Sequence, residues 1–281
     1  MILIADSGST KTDWCFVEKG KNPIRVSSLG INPYYQASSN IADELAKSLL
    51  PVYDGPLDAI HYYGTGITGP AVAEQIHGII AKCYPFVDDI NISSDLIGAA
   101  RALYGLSEGI AVILGTGANS GYYNGEGITD QIAPLGFWLG DEGSGGYIGK
   151  QFFKAYLRKE LGTDIVSKFE KEHGEFTRTQ VLENAYQKPF PNRYFAGYAR
   201  FVIENKSNSD CAAILNDGLE KLFVRYLLKY KSIASTEVGF VGSIAFYLQD
   251  ELNEVAHKYN TNLGKVIKNP IDHLVAHHLA H

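Results

Sequence analysis

Apolar residues fall in short runs along the first third of the chain, each broken by a small or polar residue. Residues 2–5 and 14–17 predict two strands around a turn. Ile41, Leu45 and Leu49 repeat at helical spacing over 40–50, and Pro51 stops that helix. "DAIHYYGTGITG" (58–69) predicts a strand running into a Gly/Thr loop. A helix over 70–83 follows, with Pro70 near its start. "INISSDLIGAARALYG" predicts a strand, a polar stop at Ser93, Ser94 and Asp95, then a helix of small residues. "GIAVILGTGANSGYYNG" is the most apolar strand of the chain, with a second Gly/Thr turn and a return strand. Alternating strands and helices predict an α/β sheet with antiparallel hairpins.

From Gly143 the texture is helical, over 147–160, 195–206, 210–231 and 271–280, with one strand–turn–helix at "EVGFVGSIAFYLQDEL". No low-complexity linker intervenes, so any domain boundary is packed, and it is expected near Gly105–Gly109, just before the central strand. "LIADSGSTKTDWCFV" and "VILGTGANSGYYN" share one layout of strand, Gly-Ser/Thr turn and return strand, as if each opened half of a duplicated fold.

Composition narrows the function. The chain has 281 residues, 45% hydrophobic and 20% charged, with a net charge of -6. This is a globular balance with no basic footprint for nucleic acid or an anionic membrane. No run reaches the length of a membrane span. The widely spaced Cys15, Cys83 and Cys211 have no metal-binding spacing. They read as free thiols of a reducing cytoplasm.

Five stretches could carry chemistry. In "DSGSTKT" (6–12), Gly8 lets amides approach an anion. Ser9, Thr10 and Thr12 add hydroxyls, Lys11 a charge, and Asp6 a group able to hold hydrated Mg²⁺. The layout is not a Walker loop, and a plain hairpin turn explains it equally well. "GTGANS" (115–120) repeats the logic with Gly115, Thr116, Gly117, Asn119 and Ser120. Asp95, between strand and helix, could take a proton from a hydroxyl, although spacing alone favours an N-cap. "PLGFWLGDEGSGGYIGK" sets Asp141 and Glu142 among five glycines, at 136, 140, 143, 145 and 146. That density points to a loop where backbone meets ligand. Asp141 also suits the cap of the helix near Tyr147. "GFVGS" (239–243) offers exposed backbone to a nucleotide base, or a helix start with Ser243 as cap. The histidines at 273, 277, 278 and 281 read as a solvated helix face. The tyrosine pairs (34, 35; 62, 63; 122, 123) read as half-buried strand residues.

The order of these pieces resembles the N-acetylglucosamine kinase branch of the BadF/BadG/BcrA/BcrD ATPase family, within the actin-like sugar kinase/hsp70 superfamily. "DSGSTKT" and "GTGANS" look like its two phosphate motifs, and "GFVGS" like its adenosine motif. "SSDLIGAARALYG" and "GDEGSGG" resemble its sugar-kinase motifs. The resemblance implies two ribonuclease-H-like domains, 1–105 and 106–269, with ATP between them and the helix of 270–281 packed on the first. It implies that Asp6 holds Mg²⁺ through water. Gly8, Ser9, Thr10, Lys11, Gly115, Thr116 and Gly117 would bind phosphates, with the amides and Thr10 ahead of Lys11. Gly242 and Ser243 would lie by the nucleoside. Asp95 becomes the general base for a sugar 6-hydroxyl. Asn32 and Asp141 would contact sugar, with Asn119 and Gly136 at the same pocket. Leu135 stands where relatives carry Trp, which leaves glucosamine, N-acetylmannosamine and a cell-wall amino sugar beside N-acetylglucosamine as substrates. A homodimer stays open. The rival readings are a non-catalytic sugar and ATP sensor and an ATPase activator of radical dehydratases. The activator would need cysteines that the chain lacks between Cys83 and Cys211.

Overall fold

A computed structural model describes residues 1–33 and 35–280. Tyr34 and His281, named above, lie outside the described residues. The chain divides into two compact units. The first comprises residues 1–111 and 123–129 and the stretch from Asn269; the second comprises Val112–Tyr122 and Asp130–Lys268.

The first unit runs β1 (Ile2–Ser7), β2 (Lys11–Val17), β3 (Ile24–Leu29), α1 (Ser38–Leu49), β4 (Ala59–Gly64), α2 (Pro70–Cys83), β5 (Asp89–Ser94) and α3 (Asp95–Tyr104). The next elements are β6 (Gly109–Leu114), β7 (Ala118–Tyr123), β8 (Ile128–Asp130), α4 (Gly136–Leu139), α5 (Gly145–Leu157), α6 (Thr163–His173), α7 (Arg178–Tyr186), α8 (Pro191–Ala196), α9 (Ala199–Glu204) and α10 (Ser209–Arg225). A 3-10 turn at Leu227–Lys229 leads to β9 (Val238–Val241), α11 (Ser243–Tyr247), α12 (Gln249–Lys258) and β10 (Leu263–Ile267). The chain re-enters the first unit as α13 (Ile271–Ala280).

The first sheet has the order β3-β2-β1-β4-β5 and the second β10-β9-β6-β7-β8. With β6 matched to β1 these are one order, so the repeated layout of the sequence is a repeated topology. In the first sheet β1, β4 and β5 pair in parallel, and β2 pairs antiparallel with both β1 and β3, so β2 alone runs against the rest.

Strand alternation sorts the first sheet's side chains onto two faces. Leu3, Ala5, Trp14, Phe16, Ile60 and Tyr62 form a core with Ile41, Leu45 and Leu49 of α1 and Ile76, Ile79 and Ile80 of α2. The opposite face carries α3 and α13, which pack on each other. Helix α2 begins with Pro70 at its first turn, where the missing N–H costs nothing.

Several expectations change in detail. The helix foreseen over 195–206 is two, α8 and α9, interrupted at Gly197 and Tyr198; glycine is a poor helix former. The helix foreseen over 210–231 ends at Arg225. The sequence reading missed β3, β8, β10, α4, α6 and α7. Tyr35 is an exposed turn residue, whereas Tyr62, Tyr63 and Tyr123 are fully buried. No helix among the described residues is long and apolar enough to cross a membrane. The three cysteines are free, Cys15 and Cys211 buried and Cys83 half-buried.

Candidate functional site

In the first unit, three parallel strands end in one row: Ser7 of β1 pairs with Gly64 of β4, and Gly64 with Ser94 of β5. The Thr65 amide continues the row by donating to the Ser7 carbonyl at 2.9 Å. Asp6 stands one residue before the row and Asp95 one residue after it. The cap that spacing assigned to Asp95 falls instead to Ser94, whose Oγ accepts from the Ile97 amide at 3.4 Å. Asp95 is therefore the first residue of α3. Its carboxylate is half-buried, and the Thr65 hydroxyl and the backbone amides of Leu96 and of Asp95 itself favour its ionised form.

Burial raises the Asp95 carboxyl to about 6, against those groups. Asp6 is pushed up to about 7, by burial first and then by the charges of Asp95 and Asp13, with Lys11 opposing. Both acids resist ionisation because they are buried, and at Asp6 the Asp95 charge adds to that resistance.

The first turn lies at the same edge. Its Gly8 amide donates to the Lys11 carbonyl at 3.0 Å. Thr12, expected to offer a hydroxyl, is buried: its Oγ1 lies 2.8 Å from Ser7 Oγ and donates to the Leu29 carbonyl at 3.3 Å. Lys11 pairs with Asp13 at 2.7 Å. Thr10 is exposed and Ser9 half-buried. The loop after β3 presses on this turn. A Cβ on Gly30 would come within 2.5 Å of the Gly8 carbonyl oxygen, and the Gly30 amide donates to Thr10 at 3.1 Å. Asn32 follows two residues on, buried, with its amide donating to Gln36 Oε1 at 2.6 Å.

In the second unit, the turn at Gly115–Gly117 closes on itself through the Gly115 amide and the Gly117 carbonyl, 3.0 Å. Two amides of α5 hold its outer carbonyls, Gly145 to Gly115 at 2.8 Å and Gly146 to Thr116 at 3.0 Å. These are donors that a helix start otherwise leaves unsatisfied. Ser144, not Asp141, caps α5, accepting from the Tyr147 amide at 3.1 Å. Asp141 adopts a left-handed conformation, φ 60°. It lies against the turn: its Oδ1 accepts from the Ala118 amide at 3.3 Å, and a Cβ on Gly117 would meet its Oδ2 at 3.0 Å. Burial raises its carboxyl to about 6, with the Ala118 amide and Lys150 opposing.

Glu142, expected to share the chemistry of Asp141, is buried and taken up by Arg225 and by the Tyr226 hydroxyl. Asn119 uses its Oδ1 on the Ser120 amide and the Gln131 side chain, each at 2.9 Å. Gly136 opens α4 with φ 69°. Gly242, with φ 127°, packs so closely on the same turn that a Cβ would lie 2.4 Å from the Leu114 carbonyl oxygen. Ser243 is the exposed first residue of α11 and makes no side-chain cap. Gly115, Thr116, Gly117, Asp141 and Gly242 thus come together at one turn.

Sequence reasoning missed Thr65, although its place just past a strand end in "YGTGITG" was a usable signal. It also missed Lys150, whose Nζ donates to the Phe137 carbonyl at 2.5 Å. The C-terminal histidines are not a plain solvated face. His278 Nε2 lies 2.8 Å from the Tyr63 hydroxyl and its ring stacks on His61 at 3.8 Å. Among the described residues no three His, Cys, Asp or Glu side chains group as a metal site.

No family profile matches the chain, and no curated protein does. Among solved structures, a candidate N-acetylglucosamine kinase from Porphyromonas gingivalis is 37% identical. The match has a TM-score of 0.93 and covers 99% of this chain and 98% of that one. The chain belongs to the N-acetylglucosamine kinase-like branch of the BadF/BadG/BcrA/BcrD ATPase family. A second candidate N-acetylglucosamine kinase, from Chromobacterium violaceum, is 15% identical with a TM-score of 0.75, each chain covered to 98%. A ROK-family glucokinase from Streptomyces griseus, solved with glucose and AMPPNP, is 14% identical with a TM-score of 0.55, covering 98% of this chain and 97% of that one. At those identities the likeness is one of fold, the two-domain actin-like ATPase fold. Within this branch, Leu135 of the chain is exposed, and Trp138 stacks on Tyr186 with centroids 5.4 Å apart.

Proposed function

We propose that this protein is an ATP-dependent sugar kinase that phosphorylates the 6-hydroxyl of an amino sugar, N-acetylglucosamine first. The observation that carries the reading is the release of Asp95 from helix capping. Ser94 does that work, which leaves the carboxylate at the strand edge beside Asp6. A base raised to about 6 is ionised at neutral pH yet still basic enough to accept a hydroxyl proton.

In this reading Asp95 takes the proton of the 6-hydroxyl as that oxygen bonds to the γ-phosphorus. The bond from the γ-phosphorus to the β–γ bridging oxygen breaks, and ADP leaves. Thr10 and the first turn, and Thr116 and the Gly115–Gly117 turn, contact phosphate, while Gly242 and Ser243 adjoin the nucleoside. Asn32 and Asp141 bind sugar hydroxyls. Asn119 ranks lower as a sugar contact, because its side-chain oxygen is already bonded twice.

Asp6 fits a hard cation held through water: it is a lone oxygen donor whose ionised form is opposed by burial and by Asp95. Mg²⁺ there would neutralise phosphate charge. The family assignment and the 37% identity to a candidate N-acetylglucosamine kinase support the amino sugar over plain hexoses. The free thiols fit a cytoplasmic enzyme.

The test is ADP release with ATP, Mg²⁺ and a panel of amino sugars and hexoses. N-acetylglucosamine should give the highest kcat/KM, and Asp95→Ala should abolish turnover while ATP and sugar still bind. Absence of turnover with every sugar would favour a sensor.

A further inference from the structure

Helix α4 ends on a borrowed donor. Its first carbonyl, Gly136, accepts from the Gly140 amide at 2.8 Å, as an α-helix requires. The next carbonyl, Phe137, would find its partner at the Asp141 amide if the helix went on. The helix stops instead: Gly140 leaves it with ψ −131°, and Asp141 turns left-handed with φ 60°. That conformation is uncommon for a residue with a Cβ and costs backbone energy. The Phe137 carbonyl is taken by Lys150 of α5, whose Nζ donates to it at 2.5 Å and lies 4.5 Å from the centre of the Phe137 ring. The ring is buried, and a Cβ on Gly146 would come within 3.1 Å of it and within 3.0 Å of the Thr116 carbonyl oxygen. Lysine and ring together fasten α4 to the start of α5, beside the turn at Gly115–Gly117.

We infer that Lys150 is a positioning residue for Asp141. By standing in for the Asp141 amide on the Phe137 carbonyl, it frees Asp141 to leave the helix and lay its carboxylate along the Gly115–Gly117 turn. The inference rests on the reading of Asp141 as a sugar ligand. The released carboxylate accepts from the Ala118 amide at 3.3 Å, and its Oδ2 stands 3.0 Å from where a Cβ on Gly117 would lie. Without a donor from outside α4, the Phe137 carbonyl would either stay unpaired at a buried helix end or recapture the Asp141 amide. Recapture returns Asp141 to right-handed backbone and turns its side chain away from Ala118. An apolar side chain would cover Phe137 as well as the lysine stem does, so packing alone does not call for an ammonium there. Burial works against that ammonium's charge, and Asp141 and Glu142 help to keep it.

Lys150→Met keeps the stem and removes the donor, and Lys150→Arg keeps a charged donor. With ATP, Mg²⁺ and the best sugar of the panel, Lys150→Met should raise KM for the sugar about ten-fold, the scale of a hydrogen bond to a charged group. KM for ATP should stay within about two-fold, and Lys150→Arg should recover most of the loss. Equal rises in both KM values, or an arginine variant no better than the methionine one, would overturn the inference.

A second readout needs no sugar. In urea unfolding, Lys150→Met should shift the unfolding constant at least about three-fold more with Asp141 present than in an Asp141→Ala background. Equal shifts in the two backgrounds would remove the link between the residues. If Asp141→Ala leaves sugar affinity unchanged, the ligand reading of Asp141 fails by itself, and the unfolding cycle still decides whether Lys150 holds Asp141 in place.

Discussion

Asp6 shows how much one residue's setting changes its chemistry. An aspartate in water titrates near 4, but here burial and the neighbouring Asp95 raise Asp6 from 3.8 to about 7. The folded protein therefore holds a proton on Asp6 that the unfolded chain has released across that window. Stability from this group is fully present below about 3.8 and is lost as pH climbs to about 7. Asp6→Asn cannot ionise and should escape the loss. At pH 8 without divalent cations the variant should be more stable than the parent by on the order of 2–4 kcal/mol, with the advantage gone at pH 4. Urea unfolding across that range measures it, and parallel pH slopes for the two proteins would refute the burial argument. Added Mg²⁺ should narrow the gap at pH 8 by stabilising only the parent.

At the scale of elements, legibility followed local chemistry. The α2 bounds were readable because Pro70 opens the helix, and the central β6 because six residues, Gly109–Leu114, form an apolar run. Strand β3 was not readable: Ile24–Leu29 is mostly exposed, and its pairing with β2 is set by backbone rather than by an apolar face. In the candidate site, each turn showed its glycines, but not which groups were spent internally. Thr12 and Glu142 looked like ligand groups because a sequence does not show that Leu29 and Arg225 reach them. Asp95 and Ser94 are both good caps, and only the fold assigns the work to Ser94.

The same scale supplies a sharp test at Gly242, where φ is 127° and a Cβ would lie 2.4 Å from the Leu114 carbonyl oxygen. Gly242→Ala should cost about 2–4 kcal/mol, from backbone strain together with displacement of the Gly115 turn. ATP affinity should fall at the same time, as read by calorimetry. An alanine variant of unchanged stability and affinity would mean that the turn tolerates the shift.

Across the whole molecule, the chain leaves the first unit within β6, rejoins it over Tyr123–Thr129 and returns to it finally at Asn269, just before α13. That last helix is held on the first sheet's second face by more than apolar contact. Asp272 pairs with Arg25, His278 meets Tyr63 and stacks on His61, and Leu274 is fully buried. The exposed Arg25 pair adds little in water, whereas the half-buried His278 contacts leave the Tyr63 hydroxyl short of a partner when removed. Cutting the chain after Asn269 should therefore destabilise the first unit far more than a frayed terminus would, by about 3 kcal/mol or more, because it uncovers Ile4 and Cys15 beneath the helix. His278→Ala alone should cost about 1–2 kcal/mol, and Arg25→Ala less than about 0.5 kcal/mol. Unfolding curves of the three variants give the order directly. If Arg25→Ala proves the costlier single change, the helix is held by its charge pair and not by its imidazole contacts.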